Sequence, residues 1–159
     1  MRQEFKLSDN SRGFSLIELM IVIAIIGILV GVGVPAWRTS VMAANEASAI
    51  ETLSTVSKEQ RTYYIGTKSY ATFDQLIERG ALDKRFAGDQ PIDNGYVYTM
   101  KVTPKGTNQP PSYTINADPQ KSEGLTATGK RHFYLDSNIN TPTVNDTQPA
   151  TADDPPYGK

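Results

Sequence analysis

The 159-residue sequence contains no cysteine, a single histidine and a single tryptophan. Without cysteine, the chain cannot form a disulfide framework or a thiolate-based metal or redox centre. The one histidine, His132, lacks an evident serine or cysteine partner, and the sequence has no glycine-rich phosphate loop and no histidine spacing typical of metal ligands. This inventory predicts a protein that is not an enzyme and needs no cofactor.

An excess of charge is also missing, since 16 basic and 17 acidic side chains leave a formal net charge of −1. A strongly basic balance is what favours binding to nucleic acid. We therefore expect no nucleic acid as a primary partner.

Charged and strongly polar side chains are absent between Leu19 and Val34, and Glu18 is the one charge between residues 14 and 34. At about 1.5 Å per residue, a helix over residues 14–34 would be roughly 30 Å long, enough to cross the hydrocarbon core of a bilayer. The run predicts a membrane-spanning half-helix at residues 14–36.

Glu18 is unusual in such a run, because a charged side chain near the centre of a membrane helix costs about 2.5–3.5 kcal/mol even on lenient insertion scales. One interpretation is that Glu18 lies near enough to the start of the run to reach the lipid headgroups, and only marks the edge of the span. The other is that it requires a cationic partner. The residues alone leave both open.

The Gly-Phe-Ser-Leu-Ile-Glu junction at residues 13–18, the apolar run behind it and Pro35 near its end resemble the class III signal of type IV pilins and type II secretion pseudopilins. The resemblance implies that a prepilin peptidase cleaves after Gly13 and methylates the new amine of Phe14. That amine is mostly cationic at neutral pH. On a neighbouring subunit, it is the natural partner for Glu18.

Residues 1–13 are predicted to be the cleaved leader. They contain no apolar stretch, but Arg2, Lys6 and Arg12 stand just before the span and favour a cytoplasmic N-terminus by the positive-inside tendency. Together with the resemblance, this predicts a precursor that crosses the inner membrane once, in contact with lipid. Its remaining part would face the periplasm or the exterior.

Gly27, Gly31 and Gly33 stand close before Pro35. Glycine costs about 1 kcal/mol per interior helix site relative to alanine, and proline removes a helical hydrogen bond and crowds the preceding turn. The segment is predicted to be the softest part of the helix, where it kinks or melts. An ordinary membrane-helix kink is one explanation, and the resemblance implies another, the loss of helical bonds in a packed filament.

Beyond Trp37, the sequence predicts an amphipathic continuation of the same helix to about Tyr64, with Gly66 as its C-cap. The apolar side chains that recur on one face are Ala49, Leu53, Val56 and Tyr63, whereas the charged residues Glu46, Glu51, Lys58, Glu59 and Arg61 mostly lie elsewhere. A capping-box pattern at Thr72 predicts a short second helix that stops at Gly80.

Alternating apolar residues then predict three strands, near residues 96–102, 113–117 and 132–136. A small antiparallel sheet needs a helix to cover its apolar face, so we expect a globular head over residues 37–136. The predicted fold class is α+β, with a long N-terminal helix packed on a small antiparallel sheet. The resemblance implies the same arrangement, the pilin fold.

Residues 137–159 are rich in Asn, Asp, Thr and Pro, and are predicted to be an extended or disordered tail without a regular element. Asp153 and Asp154 are weak candidates for a calcium site, because hard oxygen ligands on a flexible loop suit that ion. Solvated acids are the simpler interpretation. The resemblance keeps calcium open, since major pseudopilins often carry such a site near the C-terminus.

Together these features predict a structural subunit of a type IV pilus-family filament, a helical homopolymer on the cell surface or in the periplasm. Its expected partners are copies of itself, prepilin peptidase and the assembly platform in the inner membrane. The alternative is the major pseudopilin of a type II secretion system, less favoured because the region after Arg61 lacks the pattern associated with it. A third hypothesis is a single-pass membrane protein with a periplasmic binding domain that never polymerises.

Overall fold

The computed structural model describes residues 13–158. The leader residues Arg2, Lys6 and Arg12, on which the predicted topology depends, lie outside the described residues. The chain divides into two units after Arg38. Helix α1, Leu16–Thr67, contributes to both.

The N-terminal unit consists of the first part of α1, and its apolar side chains are uncovered. The large apolar side chains between residues 14 and 37 are all exposed, from 43% for Val22 to 80% for Phe14. Among residues 13–158, α1 is the one helix long and apolar enough to cross a membrane by length and composition. It is helical at Gly27 and continues through Pro35, so kinking or melting of this segment stays a prediction.

In the second unit, α1 buries one face, as its amphipathic pattern predicted. Ala49, Leu53 and Val56 are completely buried and belong to the core. The prediction for the end of the helix was wrong: α1 continues past Gly66 to Thr67. Lys68 follows with a φ of 57°, so a lysine takes the left-handed conformation that glycine usually supplies.

The second helix, α2, Phe73–Glu78, confirms the capping-box prediction. The Thr72 hydroxyl accepts from the Gln75 backbone N–H, and the Gln75 side chain accepts from the Thr72 N–H at 2.9 Å. Gly80, with a φ of 70°, follows the end of the helix as expected. A one-turn 3₁₀ helix, Lys84–Phe86, was not predicted; Asp83 caps it by accepting from the Arg85 N–H at 2.9 Å.

The sheet is an antiparallel meander of five strands in chain order. The strands are β1 Ile92–Asp93, β2 Tyr96–Thr103, β3 Ser112–Pro119, β4 His132–Asp136 and β5 Thr143–Asn145. The three predicted strands are β2, β3 and β4, which confirms the α+β fold class. The two edge strands were missed because two or three residues are too few to show alternation.

The prediction of a tail without a regular element was wrong, since β5 lies within it and pairs with β4. The Val144 N–H donates to the carbonyl of Pro155 at 2.9 Å, and the Tyr157 N–H donates to the carbonyl of Pro142 at 2.8 Å. Prolines cannot donate but can accept, so Pro142 and Pro155 are compatible with these hydrogen bonds between residues 142–144 and 155–157. The Tyr157 ring packs edge-on against Phe133, with centroids 5.8 Å apart.

The core lies between the buried face of α1 and the inner face of the sheet. Its largest fully buried side chains include Tyr96, Tyr98, Phe133, Leu53 and Leu76. In place of a disulfide, long-range polar contacts tie the elements together. Gln60 is completely buried in α1, and its amide donates to the Ala71 carbonyl at 2.6 Å and accepts from the Ala71 N–H at 2.9 Å.

Gln60→Leu should lower the free energy of unfolding by about 2–4 kcal/mol, because it leaves two buried backbone groups of Ala71 without partners, at about 1–3 kcal/mol each. Urea unfolding of the full chain in detergent, followed by tyrosine near-ultraviolet circular dichroism, measures the loss. Gln120→Leu, the same change at an exposed site, is the control. Equal midpoints for the two variants would contradict the prediction.

Candidate functional site

The candidate site is the N-terminal end of α1. Gly13 and Phe14 precede the helix, which begins at Leu16. Phe14 is 80% exposed, and a side chain at Gly13 would meet nothing within 4 Å. The predicted cleavage junction therefore lies in an accessible, non-helical segment. A protease can bind such a segment in its active site as extended backbone.

Glu18 lies in the first turn of α1 and accepts a long hydrogen bond, 3.5 Å, from the Ser15 backbone N–H to its Oε2 atom. Ser15 occupies the N-cap position, so Ser15 and Glu18 have the spacing of a capping box. A carboxylate there also interacts favourably with the positive end of the helix dipole. This local role was not predicted, although the S-x-x-E signature is present at residues 15–18.

Among residues 13–158, nothing packs closely on the three glycines of the span. A Cβ atom at Gly27, Gly31 or Gly33 would meet nothing within 4 Å. Beside Gly33, an apolar hollow of about 350 Å³ is bordered by Leu29, Val30, Val34 and Trp37. Small residues and shallow hollows on a membrane helix allow another helix to approach closely.

The calcium candidates Asp153 and Asp154 belong to the second unit of the chain. Asp154 accepts from the Thr151 N–H at 2.7 Å, the Thr151 hydroxyl at 2.9 Å and the Asn145 amide at 2.8 Å. These hydrogen bonds, from the Thr151 backbone first, lower the pKa of Asp154. Asp153 is exposed. Within residues 13–158, no group of three or more His, Cys, Asp or Glu side chains is placed to hold a metal; Asp154 instead closes a loop.

His132 is bonded within the sheet. Its Nδ1 atom lies 2.6 Å from Asp118 Oδ1, and its side chain is only 12% exposed. Asp118 and His132 each stand one position beyond Ala117 and Phe133, the last registered pair of β3 and β4. The described geometry gives this histidine a structural hydrogen bond.

A partly buried ion pair between α1 and the residue before β4 was not predicted either. Glu46 was predicted to lie with the charged residues away from the buried face of the helix, but it is only 7% exposed. Its Oε2 atom lies 2.6 Å from Arg131 Nη2 and 2.7 Å from Arg131 Nε. Its Oε1 atom accepts from the Lys130 N–H at 3.0 Å. Glu46 thus fixes one end of the sheet on the helix.

Comparison with known proteins relates this chain to a family and to several relatives. Residues 8–34 match the family described as the prokaryotic N-terminal methylation motif. The chain is 33% identical over 105 residues to fimbrial protein EcpC of Eikenella corrodens, an alignment that covers 64% of this chain and 61% of that protein. It is 33% identical over 79 residues to the type IV major pilin protein PilA of Myxococcus xanthus, covering 47% and 36%.

A third relative, the type IV wide pilus major component PilA4 of Thermus thermophilus, is 41% identical over 63 residues, which are 40% of this chain and 48% of that protein. The matched segments thus span from about a third to about three fifths of these relatives. With the methylation motif and the α+β fold on a long N-terminal helix, they support membership of the type IV pilin family.

Proposed function

We propose that this protein is the structural subunit of a type IV pilus-family filament. Prepilin peptidase would cleave after Gly13 and methylate the amine of Phe14, and the subunits would polymerise through the apolar half of α1. The observation that carries the proposal is a long apolar helix, uncovered in the single chain, with a carboxylate in its first turn.

The physical argument is that this surface must be covered by lipid or by other helices. Exposed apolar side chains over residues 14–34 are unfavourable in water, at about 25 cal/mol per Å² of apolar surface. Before assembly, the bilayer covers the helix. After assembly, the helices of other copies replace the lipid, and the glycines with their open surroundings allow close approach.

The proposal also assigns a location to the precursor and to the assembled subunit. The precursor is held in the inner membrane with its N-terminus in the cytoplasm, and the assembly platform there moves it into the filament. The relatives are named as fimbrial and pilus components, which favours a cell-surface pilus over a periplasmic secretion pseudopilus. The leader 1–13, the half-helix 14–36 and the head from residue 37 are the functional divisions of this proposal.

Processing provides the first test of the proposal. Mass spectrometry of the native protein should find an N-terminus at Phe14 with one added methyl group. Gly13→Val should leave the precursor uncut, because a branched side chain blocks the peptidase site. Gly66→Val, the same change at an open helical position in the head, should be cleaved normally.

A native N-terminus at Met1 or Ser15 in assembled material would contradict the proposal. So would a signal-peptidase cut near Ala36, because it would remove the helix on which polymerisation depends.

A further inference from the structure

Two hollows of opposite charge flank α1 in the head. The first, which we call the acidic hollow, has a volume of about 280 Å³ and lies between α1 and residues 81–86; its charged lining side chains are Glu51, Asp83 and Arg85. The second, the basic hollow, has a volume of about 330 Å³ and lies between α1 and the segment after β4; its charged lining side chains are Lys58 and Arg61.

The charges of the basic hollow are not neutralised within the described part of the chain. No carboxylate lies within ion-pair distance of Lys58 or Arg61 among residues 13–158, and Arg61 donates to a neutral acceptor, Asn140 Oδ1. Lys58 and Arg61 stand three positions apart on α1, where like charges repel. Neither has an acidic residue three or four positions away on the helix, so this repulsion is uncompensated.

The acidic hollow has the complementary surplus. Arg85 is engaged by Asp93, with Nη1 and Oδ1 3.2 Å apart, which leaves Glu51 and Asp83 as its net charge. Glu51 has no ion pair within residues 13–158 and no basic residue three or four positions away on α1. Glu51 and Asp83 thus line one hollow and Lys58 and Arg61 the other, each without an ion-pair partner within residues 13–158, although Asp83 caps the 3₁₀ helix and Arg61 donates to Asn140.

The two hollows cannot satisfy each other within one copy, because they lie at opposite edges of the sheet. The acidic hollow adjoins the 3₁₀ helix next to β1, and the basic hollow adjoins the connection between β4 and β5. Two different, complementary surfaces at opposite edges are the arrangement that a head-to-tail interface between copies requires. Repeated without closure, such an interface generates an open helical filament.

We propose that the heads of neighbouring subunits dock in this way, with Lys58 and Arg61 of one copy held against Glu51 and Asp83 of the next. This inference rests on the proposed function, and adds to it a contact between heads that is separate from the apolar helix. The occupant of each hollow is a second copy of this chain, because its own complementary surface supplies the matching charges.

The test is a charge swap in the full chain, expressed as the only copy. The basic-side variant is Lys58→Glu with Arg61→Glu, and the acidic-side variant is Glu51→Lys with Asp83→Asn, which keeps a capping oxygen for the 3₁₀ helix. Each alone should lower the yield of sheared filaments about tenfold or more, since like charges at an interface cost several kcal/mol. All four changes together should restore the yield to within about twofold of wild type.

The control is Lys101→Glu with Lys105→Glu, the same change of charge at exposed sites outside both hollows. It should assemble normally, and the level of cleaved subunit in the membrane should be unchanged in every variant. Normal assembly of the basic-side variant would overturn the inference. So would failure of the fourfold variant, which would mean that the two sets of charges do not face each other between copies. A wild-type chain that forms no filament would overturn the proposed function as well.

Because the chain has no cysteine, disulfide trapping gives a second readout that needs no charge reversal. Filaments of the Glu51→Cys, Arg61→Cys double variant should yield a ladder of disulfide-linked oligomers on a non-reducing gel. Filaments of a Lys101→Cys, Arg61→Cys variant should yield none. Absence of the ladder in well-formed filaments of the first variant would overturn the inference.

Discussion

Replacing Glu18 with alanine is expected to abolish filament assembly and to leave membrane insertion and leader cleavage intact. Within a bundle of apolar helices, the Phe14 amine of the neighbouring subunit would lose its counter-charge, at a cost of about 3–5 kcal/mol by analogy with broken buried ion pairs. Insertion should not suffer, because removing a charge makes the span more apolar. The expected result is a normal level of cleaved subunit in the inner membrane and few sheared or pelleted filaments.

The structure suggests a sharper version of this experiment, because Glu18 also accepts a hydrogen bond from the Ser15 N–H. Loss of a cap costs about 0.5–2 kcal/mol and could fray the helix end by itself. Glu18→Gln keeps a capping acceptor and removes the charge. If the charge is what matters, the glutamine variant should fail to assemble, as the alanine variant does.

Wild-type filament yield from Glu18→Gln would assign Glu18 to helix capping and contradict the pairing. Wild-type yield from both variants would leave Glu18 as a residue at the membrane edge. If the wild-type protein forms no filament while its pilus or secretion machinery is expressed, a single-pass membrane protein becomes the better account.

Glu46→Ala is expected to destabilise the head strongly, with a loss of about 3 kcal/mol in the free energy of unfolding. It leaves the Arg131 guanidinium without its partner and removes the acceptor for two backbone N–H groups. Breaking a buried pair costs about 3–5 kcal/mol, and the lower end applies because the Arg131 side chain is 37% exposed.

Urea unfolding of the full chain in detergent, followed by tyrosine near-ultraviolet circular dichroism, measures this loss. Glu51→Ala, the same change at an exposed position of α1, should shift the midpoint little. A double-mutant cycle with Arg131→Ala would isolate the coupling between the two side chains. A shift for Glu46→Ala no larger than that for Glu51→Ala would show that the ion pair contributes nothing to stability.

Several elements could be predicted because their signals are local. The apolar run behind Glu18 predicted a helix by length and composition. The apolar spacing of Ala49, Leu53 and Val56 predicted the buried face of α1, and the Thr72 capping box predicted α2. In each case the signal is the spacing of residues within a few helical turns, or the uniform apolar character of one stretch. A short stretch of sequence is therefore enough to predict the element.

The errors occurred where the local signal was weak or pointed the wrong way. Composition predicted an extended or disordered tail, but β5 forms there and pairs with β4. The carbonyls of Pro142 and Pro155 also accept hydrogen bonds, for which no proline N–H is needed. Gly66 looked like a C-cap, yet the chain turns at Lys68. Propensity is a preference of about 1 kcal/mol, and tertiary contacts override preferences of that size.

By itself, the sequence determined that this protein has an apolar helix with one carboxylate near its start, no disulfide, and a head of α+β class. Only the tertiary structure decided which polar side chains are buried and with what partners. Glu46 and Arg131 are 85 positions apart in the chain, and the two charged hollows combine α1 with segments from opposite edges of the sheet. Such contacts depend on where distant segments meet in space, and no periodicity or motif within one segment encodes that meeting.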